Sequence, residues 1–417
     1  MNRRAVVRAL KKILPDSVFE GLRHNYRRMA KAFVYCVWFP AVYRLSAREP
    51  VQDNLVMFIE LHDQNKISDN YQLIWEKLSE HGTYDPELFI LNKPKGNEIS
   101  YYKRCAELTA RAARARYIFV DDAFQVFGHV PIRRETGIYN VWHACGAFKR
   151  FGFGTAELKF GGNRKTQEKY PNYTFCTEFY VSSPEVVSVY AESTGLPAER
   201  VIPAGVSRTD IFFRDSFVTG AREKISRLFP QSAGKKIILY APTFRGRVAE
   251  ASAPDQLSVP MFHNALSDEY VLVVKHHPFV KDLPEIRQED RDFAADLTNS
   301  MSIEELLCAA DICISDYSSV IFEYSLFLKP MVFYAYDQEE YDEWRGFYYD
   351  YSEMTPGPVF TTNEDMLDYI QHVDEKFDVQ EVIRFRDRFM SSCDGHVTER
   401  LIDRIFGEAR ENKASCG

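Results

Sequence analysis

The stretch Ile314-Ser315-Asp316-Tyr317-Ser318-Ser319-Val320-Ile321-Phe322-Glu323-Tyr324, followed by Lys329-Pro330-Met331-Val332-Phe333-Tyr334, decides how this chain is read. Residues 311–315 form the short apolar run of a buried strand. The run breaks at Asp316, and two serines then open an apolar segment of helical length, 318–328. A strand, a Ser-Ser pair and a helix bring backbone N–H groups, two hydroxyls and the positive end of a helix dipole to one point. Such a point suits a phosphate or pyrophosphate. The same residues also read as an ordinary helix cap, since Ser and Asp cap helices generally.

The texture on both sides is that of an α/β protein. Strands are predicted at 55–60, 87–91, 117–121, 139–143 and 179–182, with helices at 70–81 and 102–114. A second series follows at 236–241, 270–276, 311–315 and 330–334, with helices at about 302–309 and 318–328. This alternation predicts parallel, doubly wound sheets, whose ligands bind beyond the carboxyl ends of the strands. The segment 207–234 is charged and poor in strands, so a boundary is placed near residue 215. The expected parts are an arm (1–50), two α/β domains (51–215 and 216–390) and a C-terminal helical segment (391–417), with helix read over 381–411. That last helix is expected to pack back across the boundary. No GxGxxG follows a strand and no GxxxxGK[ST] occurs, which removes the main signals of dinucleotide oxidoreductases and P-loop NTPases.

A length of 417 residues suits two or three domains rather than one. The eight cysteines are scattered without a CxxC pair, which argues for reduced thiols in a cytosolic setting and against a zinc site. The net charge of −8 hides an asymmetry, because residues 1–50 hold eleven basic against three acidic side chains. Val6, Val7, Leu10, Ile13 and Leu14 follow helical spacing among these cations, and an apolar run at 32–39 ends at Pro40. That run is far below the ~18 residues of a spanning helix, and no small-residue cleavage site follows it. The pattern is that of an interfacial amphipathic arm held by anionic lipid, with Val7, Leu10, Leu14, Phe33, Trp38 and Phe39 as insertable groups. The alternative is an arm packed on the body. The acidic remainder argues against nucleic acid as the partner.

Four predicted strand ends carry polar groups. Trp142-His143 leads to Lys149-Arg150, and His143 is the side chain type best matched to proton transfer near neutral pH. Gly205-Val206-Ser207-Arg208-Thr209-Asp210, Tyr240-Ala241-Pro242-Thr243-Phe244-Arg245 and Lys275-His276-His277-Pro278 add cations and hydroxyls. Together they supply a proton acceptor and clustered positive charge, as transfer from a pyrophosphate donor requires.

With these motifs the chain resembles the CDP-glycerol glycerophosphotransferases that build wall teichoic acids and related polymers, over about residues 54–370. ISDYSS, KPMVFYAYDQEEY and RGFYYDYSEMTPGP (345–358) stand in nearly the family's form. YAPTFR resembles YAPTxR, and KHHP resembles xxHP with His277 as the matching histidine. GVSRTD is similar to GxPRxD with Ser207 in place of proline, ISDN (67–70) to sDNP, and WHACGAFKRFG to WHGxxxKxxG with altered spacing and Ala144 for the first glycine. The resemblance implies a GT-B-like fold of two Rossmann-like domains facing across a cleft. It implies transfer of glycerol phosphate, or another polyol phosphate such as ribitol phosphate, from the CDP conjugate to a polyprenyl-linked or polymeric acceptor, with release of CMP and no metal or cofactor. The site would be peripheral, at the cytoplasmic face of the plasma membrane, in teichoic acid or capsular polymer synthesis. By match, His143 and His277 are the catalytic residues, with His143 as base. Lys149, Arg208, Asp210, Thr243, Arg245, Asp316, Ser318, Ser319 and Arg345 are the expected substrate-binding set. A nucleotide-sugar glycosyltransferase of GT-B form would share the helix-terminus site but lack the 345–358 segment. A non-catalytic membrane-surface scaffold would be indifferent to loss of His143.

Overall fold

The computed structural model describes residues 15–61, 66–92, 98–156, 158, 161–246 and 250–414. It contains twelve strands: β1 Gln52–Glu60, β2 Asp85–Ile90, β3 Ala115–Val120, β4 Gly137–Asn140, β5 Glu178–Tyr180, β6 Val201–Ile202, β7 Lys236–Tyr240, β8 Tyr270–Val274, β9 Ala294–Asp296, β10 Ile312–Ser315, β11 Met331–Tyr334 and β12 Val359–Phe360. They form two six-stranded sheets, ordered β2-β1-β3-β4-β5-β6 and β12-β11-β10-β7-β8-β9. In the second sheet every neighbouring pair is parallel. This is the α/β architecture of Rossmann-like domains that the alternating pattern predicts. The nine predicted strands are all present. The three that sequence reading missed, β6, β9 and β12, are two or three residues long. Strand β4 stops at Asn140, before the predicted end at 143, because Trp142 turns to a φ of 55° and leaves the extended region.

Contacts divide the chain into two compact units, one running to Ser68 with Leu78–Tyr139 and Thr166–Thr177, the other Asp69–Lys77, Asn140–Lys165 and everything from Glu178. In the first unit, β1 pairs in parallel with β2 and β3, and Leu55 to Ile59 are buried without a break, as in a strand covered on both faces. The basic arm enters this unit as helix Asp16–Phe33, a π-helical turn Val34–Trp38 and helix Phe39–Ser46. Phe39 and Tyr43 are completely buried, and the Tyr43 hydroxyl accepts the Arg133 N–H at 3.0 Å. Tyr35 meets Tyr102 and Tyr170 edge-on, with centroids 6.2 and 5.9 Å apart.

This corrects part of the arm's reading. Phe39 is a core residue and cannot insert elsewhere, because Pro40 does not end the helix but lies in the first turn of its packed continuation. Phe33 is exposed, as are Val18, Leu22, Tyr26, Met29 and Val37. Their spacing of three or four places all six on one helical face. Val6, Val7, Leu10, Ile13 and Leu14 lie outside the described residues. No helix among the described residues is long and apolar enough to cross a membrane.

The second unit is built on β7–β12, whose core joins Ile238, Leu272, Ile314 and Val332 to Phe262 and Ile370. The helix predicted at 381–411 is two helices, Val379–Phe389 and Val397–Ala414. Between them the chain turns through Gly395 at a φ of 86°. Asp210 caps the second helix, accepting the N–H groups of Val397 and Thr398 at 3.0 and 2.6 Å.

Candidate active site

The carboxyl ends of β7, β8, β10 and β11 lie in the second unit and carry most of the residues singled out above. Leaving β10, Asp316 is almost fully buried. Its Oδ1 accepts the N–H groups of Thr243 (2.8 Å) and Tyr317 (2.6 Å), and its Oδ2 accepts Arg245 Nη1 at 2.9 Å. Ser315 Oγ donates to the Ala241 carbonyl at 2.9 Å, and the Tyr351 hydroxyl donates to the Asp316 carbonyl at 2.9 Å. The loops leaving β7 and β10 are therefore stitched together beneath the two serines.

Ser318 and Ser319 are half-buried at the start of helix Val320–Tyr324. The ordinary cap reading does not account for them. Ser319 occupies the cap position without a side-chain bond, and Ser318 Oγ receives only a 3.5 Å contact from Val320 N–H. The helix is also shorter than the 318–328 expected. It tightens into a 3-10 turn at Ser325–Phe327 and ends at Leu328 in the left-handed region, φ 53°.

Arg245 is the most heavily bonded side chain of the group. Its Nε and Nη2 donate to Asp337 at 2.6 and 3.0 Å, and Nη1 donates to the Thr243 carbonyl at 2.6 Å besides Asp316. The rings of Tyr317, Tyr336 and Tyr341 stand 5.2, 5.7 and 5.5 Å from the guanidinium. Burial opposes the charge, but Asp316 and Asp337 more than offset it and hold Arg245 cationic. The Thr243 hydroxyl is buried and has no hydrogen-bond partner among the described residues.

At the end of β8 the two histidines separate. His276 is buried, its N–H bonded to Thr298 Oγ1 at 2.9 Å, and burial lowers its pKa. His277 is half-buried, and its Nδ1 accepts the Phe279 N–H at 3.2 Å. That bond assigns the ring proton to Nε2, which makes the far edge of the neutral ring a donor. His277 is thus the better placed of the pair for an anion.

His143 belongs to the same unit and is backed by Trp142, ring centroids 4.1 Å apart. Trp142 is held at a positive φ by its N–H bond to Asn140 Oδ1 at 2.9 Å and by contact with Phe151 and Phe179. A non-glycine residue in this conformation stores strain, which occurs disproportionately at functional sites. The loop then turns through Gly146 at a φ of 60°, where an added Cβ would lie 2.2 Å from the Phe322 ring. Only glycine lets the His143 loop lie on the helix that follows Ser319. Lys149 forms an antiparallel bridge with Phe347, and Arg150 Nε donates to the Phe347 carbonyl at 3.0 Å. The segments carrying Lys149 and Arg345 are thereby zipped together, although the Arg345 side chain lies outside what the structure describes.

Two further residues of the expected set have internal partners. Arg208 is half-buried against Glu323 (2.5 Å) and Glu304 (3.8 Å), and Asp210 is the helix cap already described. Both hold the site's framework from beneath, Arg208 through the helix that follows Ser319. Sequence reading missed Asp337 and the strained Trp142. Asp337 follows an apolar strand run, the same signal that singled out Asp316. Nothing local marks Trp142.

The family model for CDP-glycerol:poly(glycerophosphate) glycerophosphotransferases matches residues 41–407. A teichoic acid poly(ribitol-phosphate) polymerase of Bacillus spizizenii is 34% identical over 85% of this chain, which spans 56% of that protein's length. A teichoic acid ribitol-phosphate primase of the same organism is 32% identical over 88% of this chain and 95% of its own. Among solved structures, a form of the wall teichoic acid polymerase TagF superposes with a TM-score of 0.74 at 20% identity, covering 94% of this chain and 97% of the other. That likeness is one of fold.

Proposed function

The chain belongs to the CDP-glycerol:poly(glycerophosphate) glycerophosphotransferase family, and on that premise we propose that it transfers a polyol phosphate from a CDP-polyol to an acceptor hydroxyl. The donor is CDP-glycerol or CDP-ribitol, and the acceptor is a lipid-linked or polymeric alcohol in teichoic acid or capsular polymer synthesis. This chain spans 56% of the length of the poly(ribitol-phosphate) polymerase and 95% of that of the primase, so activity and substrates rest here on this chain's own residues.

His143 takes the proton of the acceptor hydroxyl. The freed oxygen attacks the phosphorus that carries the polyol, and the bond from that phosphorus to the bridging oxygen breaks. CMP leaves with the bonding electrons. His277 Nε2–H, the hydroxyls of Ser318, Ser319 and Thr243, and N–H groups of the short helix donate to the pyrophosphate oxygens. Lys149 adds charge where the leaving phosphate develops it. The carrying observation is the Asp316 junction, which holds the Thr243 and Ser318–Ser319 loops as one unit at the mouths of β7 and β10.

The exposed stripe Val18, Leu22, Tyr26, Met29, Phe33 and Val37, flanked by Arg23, Arg27 and Arg28, supports seating on anionic lipid at the cytoplasmic face of the membrane. The test of the donor is calorimetric titration of the purified chain with CDP-glycerol, CDP-ribitol and a UDP-sugar. Binding of a CDP-polyol and not of the UDP-sugar is expected. Preference for the UDP-sugar overturns the reading.

A further inference from the structure

The five N–H donors of Arg245 are nearly all committed. Asp337 takes Nε and one on Nη2, while Asp316 and the Thr243 carbonyl take the two on Nη1. One Nη2 hydrogen remains, and the guanidinium faces two carboxylates rather than none. Arg245 therefore adds little net positive charge for an arriving pyrophosphate. Its plane joins the exits of three adjacent strands, β7 through itself, β10 through Asp316 and β11 through Asp337. Asp337 also accepts the Tyr317 hydroxyl at 2.9 Å, and that ring lies next to Ser318 in the chain and 5.2 Å from the Arg245 guanidinium.

We propose that Asp337 is a positioning residue. It locks Arg245 and Tyr317 by a two-point fork and one hydroxyl bond, and so fixes the Thr243 and Ser318–Ser319 loops in the form that grips the donor's pyrophosphate. The inference rests on the donor reading above and deepens it. The Asp337 carboxylate is engaged by Arg245 and Tyr317. Its removal acts only through Arg245 and Tyr317, because those two hold the loops.

The test is a double-mutant cycle on the full chain, reading the dissociation constant of CDP-glycerol and CDP-ribitol, the donor KM, kcat and the melting temperature. Asp337→Asn is expected to raise the donor dissociation constant and KM by about tenfold or more, a loss typical of a two-point charged pair. In an Arg245→Met background the same substitution is expected to cost only the about threefold that the Tyr317 bond carries. Should Asp337→Asn fail to fold, Tyr317→Phe removes one bond to the same carboxylate and is expected to raise the donor KM by about threefold. Unchanged donor affinity in Asp337→Asn, or in Tyr317→Phe where that variant carries the test, overturns the proposal. So does an equal loss in the Arg245→Met background. A wild-type chain that binds neither CDP-polyol overturns the donor reading itself, and this proposal with it.

Discussion

Asp316 Oδ1 accepts the backbone N–H of Thr243 at 2.8 Å, so a buried carboxylate at the exit of β10 sets the course of the chain leaving β7. A backbone amide has a fixed direction, and its bond to a buried acceptor leaves the loop little freedom. The second oxygen of the same carboxylate bonds Arg245. One side chain thus links two segments more than 70 residues apart at the exits of β7 and β10.

Replacing Asp316 with Asn removes the charge facing Arg245, although Asp337 still holds the guanidinium. A loss of about 2–3 kcal/mol in folding free energy is expected, somewhat below the usual figure for a broken buried pair. Urea denaturation followed by circular dichroism measures it. An Asp316→Asn protein as stable as wild type would mean that the junction carries no load.

Gly146→Ala sets a methyl group against the Phe322 ring and strains a left-handed backbone position at once. A destabilisation of about 1–3 kcal/mol and loss of turnover are expected. Phe322→Ala carries its own cost of about 3–5 kcal/mol because the ring is fully buried. In that background the added cost of Gly146→Ala should recover in part, since the clash is relieved but not the φ. Full recovery would assign the whole effect to space, and none would assign it to the backbone.

His276 yields a pH prediction. Burial lowers its pKa below 6.5, so the unfolded chain binds the proton more readily than the folded one. Its contribution to stability is full above 6.5 and falls as pH drops from there towards the lowered folded value. His276→Asn should therefore flatten the stability profile just below pH 6.5, read from thermal melts at a series of pH values. A profile identical to wild type would show that the folded His276 titrates as it does in water.

The arm can be tested without deleting it. Phe39 and Tyr43 are core residues, so truncation through residue 44 would damage the fold as well as any lipid contact. Leu22→Gln, Met29→Gln and Phe33→Gln together alter only exposed positions. They should release the chain from anionic liposomes in flotation assays while leaving turnover on a soluble acceptor and the melting temperature unchanged. Salt should weaken binding of the intact chain. Retention of the triple variant on liposomes would move the lipid contact elsewhere.

Much of this was legible in the residues because apolar runs of four or more report buried parallel strands without help from the rest of the chain. That held for β7, β8, β10 and β11, and so for the loops at their ends. Strands β6, β9 and β12 were not legible, since two or three residues give no period to read. The two-helix C-terminus was missed because Asp210, nearly two hundred residues upstream, supplies the cap. Asp337 and Trp142 escaped for the same reason. Asp337 follows a strand run as Asp316 does, but nothing in the sequence shows that Arg245 and Tyr317 meet it. Positive φ at a tryptophan follows from Asn140, Phe151 and Phe179 acting together.

The central claim is that His143 serves the acceptor while the β7, β8 and β10 exits hold the donor. The most direct measurement is release of CMP from CDP-glycerol and CDP-ribitol in the presence of a soluble acceptor analogue, comparing wild type with His143→Ala and recording donor affinity for both. The account predicts CMP release by wild type, a fall of roughly 10²–10⁴ in kcat for His143→Ala, and an unchanged dissociation constant for the donor. A variant that turns over like wild type, or one whose defect lies wholly in donor affinity, would contradict it.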